Sequence, residues 1–143
     1  RYPTFRQAMA DQHIKAMLLL AFALIGVVAA NGPTYHLKTT QTKDLVGLCD
    51  SVNQTAGYLF IEGSRNLNYF FWHFESRGNP ETDPVILWMT GGPGCSSAVA
   101  LFHENGPCKI NDDHKTTRLN PYSWNSNASI IYIDQPAGVG FSY

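Results

Sequence analysis

Charge of either sign is scarce in this sequence, and neither sign is in clear excess. Charged residues make up 15% of the 143 residues, and the formal net charge is −1. Without a positive excess there is no electrostatic basis for binding nucleic acid or an anionic membrane surface, so neither is expected as a partner. The hydrophobic fraction of 44% is typical of a packed globular domain and not of a disordered chain.

Patterns that would indicate a repeat architecture or a metal site are also missing. The sequence has no internal repeat, no low-complexity tract and no group of Cys and His at metal-ligand spacing. We therefore expect no metal. The only three cysteines are Cys49, Cys95 and Cys108. In an oxidising compartment, an odd number leaves one of them without a partner inside the chain.

Residues 1–30 are predicted to be an upstream extension and a signal peptide. Residues 17–30 are continuously apolar, Lys15 precedes them, and small residues lead up to Ala30. This pattern predicts cleavage after about Ala30 and no membrane attachment afterwards. The alternative is a signal anchor, but the apolar stretch is shorter than the ~20 residues that span a bilayer. Met9 is the preferred initiator because it keeps Lys15 in the basic region.

The segments after the signal peptide fit a protein of the secretory pathway. Residues 31–44 are polar with little pattern and are interpreted as an amino-terminal arm or a pro-segment. N-glycosylation sequons begin at Asn53 (NQT) and Asn127 (NAS), so glycans are predicted on both. The final destination, extracellular or lysosomal and vacuolar, stays open.

Short β-prone segments dominate the rest of the chain. Residues 57–62 and 68–75 are rich in aromatic residues and flank a turn with Gly and Asn, which predicts an antiparallel hairpin. Apolar runs at 85–89 and 130–133 are typical of buried strands, with a helix predicted over 98–104 between them. This order is the opening of a mixed α/β sheet, a class that binds ligands at the carboxyl ends of its strands.

The most informative stretch is residues 85–97, VILWMTGGPGCSS, which changes abruptly from apolar residues to glycines. Gly91, Gly92 and Gly94 lack a Cβ, so the backbone there can approach a ligand closely or adopt positive φ. Pro93 stiffens the middle of the turn. A rigid loop at a strand end with bare N–H groups is what an oxyanion hole requires. The alternative is a tight strand-to-helix turn with no chemistry.

Two long runs resemble those of one protein family. The pattern W-x-T-G-G-P-G-C-S-S at residues 88–97 resembles the oxyanion-loop signature of the serine carboxypeptidases. Residues 120–143, NPYSWNSNASIIYIDQPAGVGFSY, carry a second pattern of that family. The resemblance implies an α/β-hydrolase fold, of which residues 45–143 would be the amino-terminal and incomplete part.

The resemblance also implies roles for the residues of the first run. The Gly92 N–H would be one oxyanion donor, and the other would come from the residue after a nucleophilic serine. The Gly91 N–H and the side chain of Thr90 would hold the terminal carboxylate of a peptide substrate, with Trp88 in the site wall. Most family members carry Asn at position 90, and a hydroxyl offers one donor where an amide offers two.

Further roles follow from the resemblance outside this run. Glu104 matches a glutamate that lies against a second glutamate beside the nucleophile, and two carboxyls at hydrogen-bonding distance can share one proton. Cys95 would pair with a cysteine further downstream, which leaves Cys49 and Cys108 to pair with each other. No metal or cofactor is implied.

The reacting groups are missing from the sequence. Peptide hydrolysis on this fold needs a Gly-x-Ser-x-Gly elbow, then an Asp and then a His, and no such elbow occurs. Ser96, Ser97 and Ser142 do not complete the pattern, and Asp134 comes before the place where a triad acid would lie. The chain alone is therefore expected to be inactive, and its partner would be the missing remainder of the same domain.

The function implied by the resemblance is that of a serine-type carboxypeptidase. The intact enzyme would release carboxy-terminal residues from peptides through an acyl-enzyme. Two alternatives stay open. One is an acyltransferase of the same family, which a downstream pocket would distinguish, and the other is a secreted relative that binds without catalysing.

Overall fold

The structure, a computed structural model, describes residues 34–41, 48–63 and 65–143. The predicted signal peptide lies outside the described residues. No helix within them is long and apolar enough to cross a membrane. In chain order the elements are β1 (Tyr35–Gln41), β2 (Gln54–Ile61), β3 (Leu67–Phe74), β4 (Val85–Trp88), α1 (Ala98–His103), β5 (Cys108–Ile110), β6 (Thr117–Leu119), a 3-10 helix (Trp124–Ser126) and β7 (Ser129–Ile133).

Five of the strands form one mixed sheet in the order β1-β2-β3-β7-β4. Strands β1, β2, β3 and β7 pair antiparallel, whereas β4 pairs parallel with β7. The predicted hairpin is confirmed, because β2 and β3 pair with Ile61 opposite Leu67 next to the turn. The chain crosses from β4 to β7 through α1, as the α/β interpretation requires.

Three strands were not predicted from the sequence. Strand β1 lies within residues 31–44, where the sequence indicates only an arm or a pro-segment, and β5 and β6 form a separate two-stranded sheet after α1. β1 is an edge strand whose residues 35–39 are all exposed. Backbone pairing with β2 holds it in place, and its sequence alternates only at Tyr35 and Leu37, which is a weak strand signal.

The core lies on the face of the sheet that α1 covers. Phe74, Ile130 and Tyr132 are buried there against Ala100 and Leu101 of the helix. The Trp72 ring adds contacts to Phe74 at 5.3 Å and to Phe102 at 6.2 Å between ring centroids. This packing fixes α1, and with it the loop that precedes α1.

The opposite face of the sheet is apolar but much less buried. Register places Leu37, Leu59, Phe71, Ile131 and Leu87 on that face. Leu37 is 65% and Leu87 is 55% exposed, while the three between them are half-buried. A largely apolar face of this kind, interrupted by His73 opposite Ile131, is typical of a sheet surface that another layer covers.

A buried ion pair and a disulfide connect segments that lie outside the strands of the main sheet. The Arg77 Nε donates to the Asp50 Oδ2 at 2.8 Å, and the Asn125 Nδ2 donates to the same oxygen at 3.0 Å. Cys49, next to Asp50, forms a disulfide with Cys108, which confirms the pairing that the family resemblance implied. These contacts join the start of β2 to the segment that carries the 3-10 helix.

Candidate functional site

Two glycine-rich loops lie at the carboxyl ends of neighbouring strands. Residues 90–97, here called the first glycine loop, follow β4, and residues 134–143, the second glycine loop, follow β7. Because β4 and β7 pair in parallel, with Trp88 opposite Tyr132, both loops leave the sheet at the same end. This is the position at which open α/β sheets bind ligands.

The backbone of the first glycine loop requires glycine at two positions. Gly92 has φ +148° and Gly94 has φ +78°, and both values are strained for residues with a Cβ. A Cβ at position 92 would also lie 2.9 Å from the Cys95 sulfur. Gly91 and Gly92 are both exposed, and within the described part of the chain neither N–H makes a hydrogen bond. The loop therefore presents two free donors to solvent.

Trp88 and Thr90 form the side wall of this loop. The Trp88 Nε1 donates to the Thr90 Oγ1 at 3.2 Å, and the Thr90 N–H donates to the Ser97 Oγ at 3.1 Å. A hydroxyl that accepts one bond still carries its own hydrogen. Among the described residues nothing accepts that hydrogen, so the Thr90 hydroxyl is available as a third donor beside the two loop amides.

Trp124, which no sequence prediction singled out, extends the same wall. Its ring meets the Trp88 ring edge to face, with centroids 5.3 Å apart, and it is 51% exposed. The 3-10 helix that carries it is capped by the Ser123 side chain, and the Trp124 N–H donates to the Asn105 carbonyl at 3.0 Å. Trp124 belongs to the second family pattern, which was the one signal that could have drawn attention to it.

Ser96 and Ser97, which we excluded as nucleophiles, anchor the first glycine loop. The Ser96 Oγ donates to the Asp134 Oδ1 at 2.7 Å, and the Ser97 N–H donates to the same oxygen at 2.8 Å. The Ser97 Oγ donates to the Ile133 carbonyl at 2.6 Å. These side chains are turned toward the sheet, where they close the base of the loop.

The second glycine loop is folded onto the same carboxylate. The Phe141 N–H donates to the Asp134 Oδ2 at 2.9 Å, and the Ser142 Oγ donates to the Asp134 carbonyl at 2.7 Å. Gly140 has φ +56°, and a Cβ there would collide with the Asp134 carboxylate. Asp134 is only 2% exposed. It therefore links the two loops from beneath.

Glu104 lies apart from this group. It is exposed just after the end of α1, where its carbonyl accepts a hydrogen bond from the Lys109 Nζ at 2.6 Å. Within the described residues no hydrogen bond joins its carboxylate to Thr90 or Trp88. Burial, with a smaller contribution from the charge of Glu104, raises the pKa of Tyr132, the register partner of Trp88. The structure thus places Trp88, Thr90, Gly91 and Gly92 in one loop and strand end, whereas no hydrogen bond among the described residues joins the Glu104 carboxylate to them.

Several other sequence predictions can be located in the structure. Cys95 is exposed in the first glycine loop and is unpaired within the described residues. The sequon residues Asn53 and Asn127 are both exposed, although glycosylation itself stays a prediction. Across the described ranges, no three His, Cys, Asp or Glu side chains are grouped so that they could hold a metal ion.

Comparison with known proteins gives a consistent result. The model of a family described as serine carboxypeptidase matches residues 47–143. Carboxypeptidase Y of Saccharomyces cerevisiae is 52% identical over 111 residues, covering 76% of this chain and 20% of that protein. Carboxypeptidase S1 of Penicillium janthinellum is 54% identical over 100 residues, covering 68% of this chain and 23% of that protein.

A solved structure supports the same relationship. The crystal structure of Kex1(delta)p, a prohormone-processing carboxypeptidase from Saccharomyces cerevisiae, is similar with a TM-score of 0.57 and 38% identity. The match covers 63% of this chain and 20% of that one. The chain therefore spans about a fifth of the length of these relatives. Its mixed sheet confirms the predicted fold class, the opening of an α/β-hydrolase fold. Since the matched region holds both glycine loops and the wall beside them, the chain belongs to the serine carboxypeptidase family.

Proposed function

We propose that this chain is the amino-terminal part of a serine carboxypeptidase that releases carboxy-terminal residues from peptides. One observation carries the proposal. Three hydrogen-bond donors without acceptors among the described residues, the N–H groups of Gly91 and Gly92 and the hydroxyl of Thr90, lie in one short exposed loop at the carboxyl end of a parallel strand. Such a group of donors suits a ligand with two separate oxygen sites.

Gly92 is the proposed oxyanion donor. Its φ of +148° is open to glycine, and its N–H is free of other partners among the described residues. A backbone donor that is already in position lowers the energy of a developing oxyanion without rearrangement in the transition state. The second donor of the hole would follow the nucleophilic serine, in a part of the protein outside this chain.

Thr90 and Gly91 are the proposed ligands of the substrate's terminal carboxylate. Trp88 holds the Thr90 side chain through its Nε1, so the hydroxyl hydrogen is free to turn toward an anion. Hydrogen bonds to a charged group are stronger than those between neutral groups. In this proposal Glu104 acts at longer range, by sharing a proton with a second carboxyl in the remainder of the domain.

The remainder of the domain would supply the nucleophile, the Asp and the His, and would cover the exposed parts of this chain. β4 is the outer strand of the sheet, and Leu87 and Val85 on it are 55% and 65% exposed. The apolar face that carries Leu37 and Leu87 is likewise open. Both features suit the addition of further strands and of a covering layer.

A secretory-pathway location is part of the proposal. The Cys49–Cys108 disulfide is characteristic of oxidising compartments, and the acceptor asparagine of each sequon is exposed. We expect the secreted or vacuolar protein to carry glycans on Asn53 and Asn127. Endoglycosidase treatment followed by peptide mapping checks this, and unmodified asparagines at both positions would exclude it.

The carboxylate role is tested with Thr90→Val in the full-length enzyme. Valine keeps the shape of threonine and removes the hydroxyl donor. A hydrogen bond to a charged group contributes roughly 1.5–3 kcal/mol, so kcat/KM on peptides with a free carboxyl terminus should fall about ten- to a hundredfold. Hydrolysis of the matching carboxy-terminal amides should barely change. Thr90→Asn, the control, should keep or improve peptide activity.

The opposite outcome for this variant is equally informative. If Thr90→Val reduces the hydrolysis of peptides and amides by the same factor, then Thr90 supports only the shape of the loop. If the wild-type enzyme shows no preference for a free carboxylate, the exopeptidase proposal itself is wrong.

A further inference from the structure

The second glycine loop contains a buried carboxylate that the proposed chemistry does not use. Asp134 is 2% exposed, and neither of the two ion pairs among the described residues includes it. A buried charge without a cation is costly unless several hydrogen bonds offset the loss of water. Its surroundings should therefore show what the charge stabilises.

The hydrogen bonds to Asp134 come from both glycine loops. Oδ1 accepts bonds from the Ser96 hydroxyl at 2.7 Å and the Ser97 N–H at 2.8 Å, and Oδ2 accepts a bond from the Phe141 N–H at 2.9 Å. Both oxygens must therefore act as acceptors. A carboxylate satisfies this requirement, whereas the amide of an asparagine offers one oxygen and would turn an NH₂ group toward a donor.

Hydrogen bonds of Ser97 connect the Asp134 carboxylate to the proposed site. The Ser97 Oγ accepts a bond from the Thr90 N–H at 3.1 Å and donates to the Ile133 carbonyl at 2.6 Å. Ser97 and Thr90 are the two ends of the first glycine loop. The Asp134 carboxylate thus holds the Ser97 end of the loop directly, through the Ser97 N–H. It holds the Thr90 end indirectly, because the Thr90 N–H is bonded to the Ser97 hydroxyl. Gly91 and Gly92 lie between these two ends.

We propose that Asp134 is a positioning residue that fixes the first glycine loop so that the Gly92 N–H and the Thr90 hydroxyl point to the substrate. As far as catalysis is concerned, this inference rests on the proposed function. The charge of Asp134 acts through the serines and does not contact the substrate. Its removal should affect the oxyanion donor, which is needed only in the transition state, and should therefore lower kcat more than it raises KM.

Asp83 provides a matched control for the substitution. Its Oδ2 accepts bonds from the Ser76 hydroxyl at 2.6 Å and from the Asn79 N–H at 2.8 Å, so it has the same kind of partners in a different loop. Asp83→Asn should weaken that loop without changing the first glycine loop. A general loss of stability would then appear in both variants, whereas the positioning effect would appear only in Asp134→Asn.

The first measurement is hydrogen exchange in the full-length enzyme, which does not depend on activity. In Asp134→Asn the amides of Thr90 and Ser97 should exchange at least about tenfold faster than in the wild type, because the Ser97 N–H loses its charged acceptor and the Thr90 N–H is bonded to the Ser97 side chain that this acceptor holds in place. The same amides should be unchanged in Asp83→Asn. Unchanged exchange of Thr90 and Ser97 in Asp134→Asn overturns the inference.

The second measurement is the kinetics of the same variants. For Asp134→Asn we expect kcat on a peptide substrate to fall about tenfold or more while KM changes less than kcat does. Ser96→Ala removes one of the three bonds, so its loss of kcat should be smaller, and it replaces Asp134→Asn if that variant does not fold. A wild-type kcat in both variants overturns the role in catalysis.

The two proposals fail in different ways. If exchange of the loop amides rises as expected but the wild-type enzyme hydrolyses no peptide, the positioning role of Asp134 stands and the proposed function is wrong. If the wild type is an active carboxypeptidase and neither exchange nor kcat responds, the proposed function stands and the positioning role is wrong.

Discussion

The two glycine loops follow neighbouring strands and are built from similar residues, yet their hydrogen bonding differs. In the first loop Gly91 and Gly92 are exposed, and their N–H groups have no acceptor within the described residues. In the second, Asp134 and Ser142 are 2% and 3% exposed, and each accepts or donates several hydrogen bonds. Glycine therefore has two different roles at this end of the sheet.

In the first loop, glycine exposes the backbone to a ligand. In the second, it lets the backbone approach a buried carboxylate, because a Cβ on Gly140 would occupy the space of the Asp134 side chain. In the proposed function, the first loop is the binding surface and the second loop supports it. Substitutions in the two loops should separate these roles.

The largest effect is expected for Gly92→Ala in the full-length enzyme. The added Cβ would lie 2.9 Å from the Cys95 sulfur at a φ of +148°, so the amide must move. Losing one oxyanion donor reduces kcat by about 10²–10³. Gly63→Ala is the control, since a Cβ there meets nothing within 4 Å. Steady-state kinetics on a peptide substrate measures both variants, and a wild-type kcat for Gly92→Ala would remove Gly92 from the oxyanion hole.

The next largest effect is expected on stability and not on the chemistry. Cys49→Ser removes the disulfide to Cys108, which lies beside the ion pair of Arg77 with Asp50. Loss of a native disulfide typically costs about 2–5 kcal/mol of unfolding free energy. Denaturant unfolding should show this loss, while kcat of the folded enzyme should stay near that of the wild type. A large loss of kcat without a loss of stability would mean that this disulfide supports the site directly.

The smallest effect is expected for Glu104→Gln. Glutamine keeps the size of the side chain and removes the proton sharing that we propose for Glu104, while no hydrogen bond to Thr90 or Trp88 is broken among the described residues. The loss of peptide hydrolysis should therefore vary with pH and shift the active pH range. A pH profile of kcat/KM for wild type and variant measures this, with the carboxy-terminal amide as control substrate. A loss of the same size at every pH would contradict proton sharing.

Much of the fold was predictable because its signals are local. The β2–β3 hairpin follows from aromatic alternation around a turn, and β4, α1 and β7 follow from short apolar runs next to glycine loops. β1 gave only a weak signal, because backbone bonds to β2 hold it and its residues 35–39 are exposed. The sequence of an edge strand does not show by itself that its backbone pairs with a neighbouring strand.

Within the candidate site, only the proximity of the residues that carry the motif could be predicted from the sequence. Trp88, Thr90, Gly91 and Gly92 were identified and lie together. Trp124 was missed because its contact with Trp88 depends on how the chain returns after α1. The role of Asp134 was missed because its partners, Ser96, Ser97 and Phe141, become neighbours only after β4 and β7 pair.

The central claim is that this chain supplies the binding part of the site and that none of its serines is the nucleophile. A serine-directed fluorophosphonate, applied to the full-length enzyme and followed by peptide mapping, tests this most directly. The account predicts that the label is on a serine outside residues 1–143, since Ser96, Ser97 and Ser142 are engaged in structural hydrogen bonds. A label on any serine within residues 1–143, these three included, would contradict it.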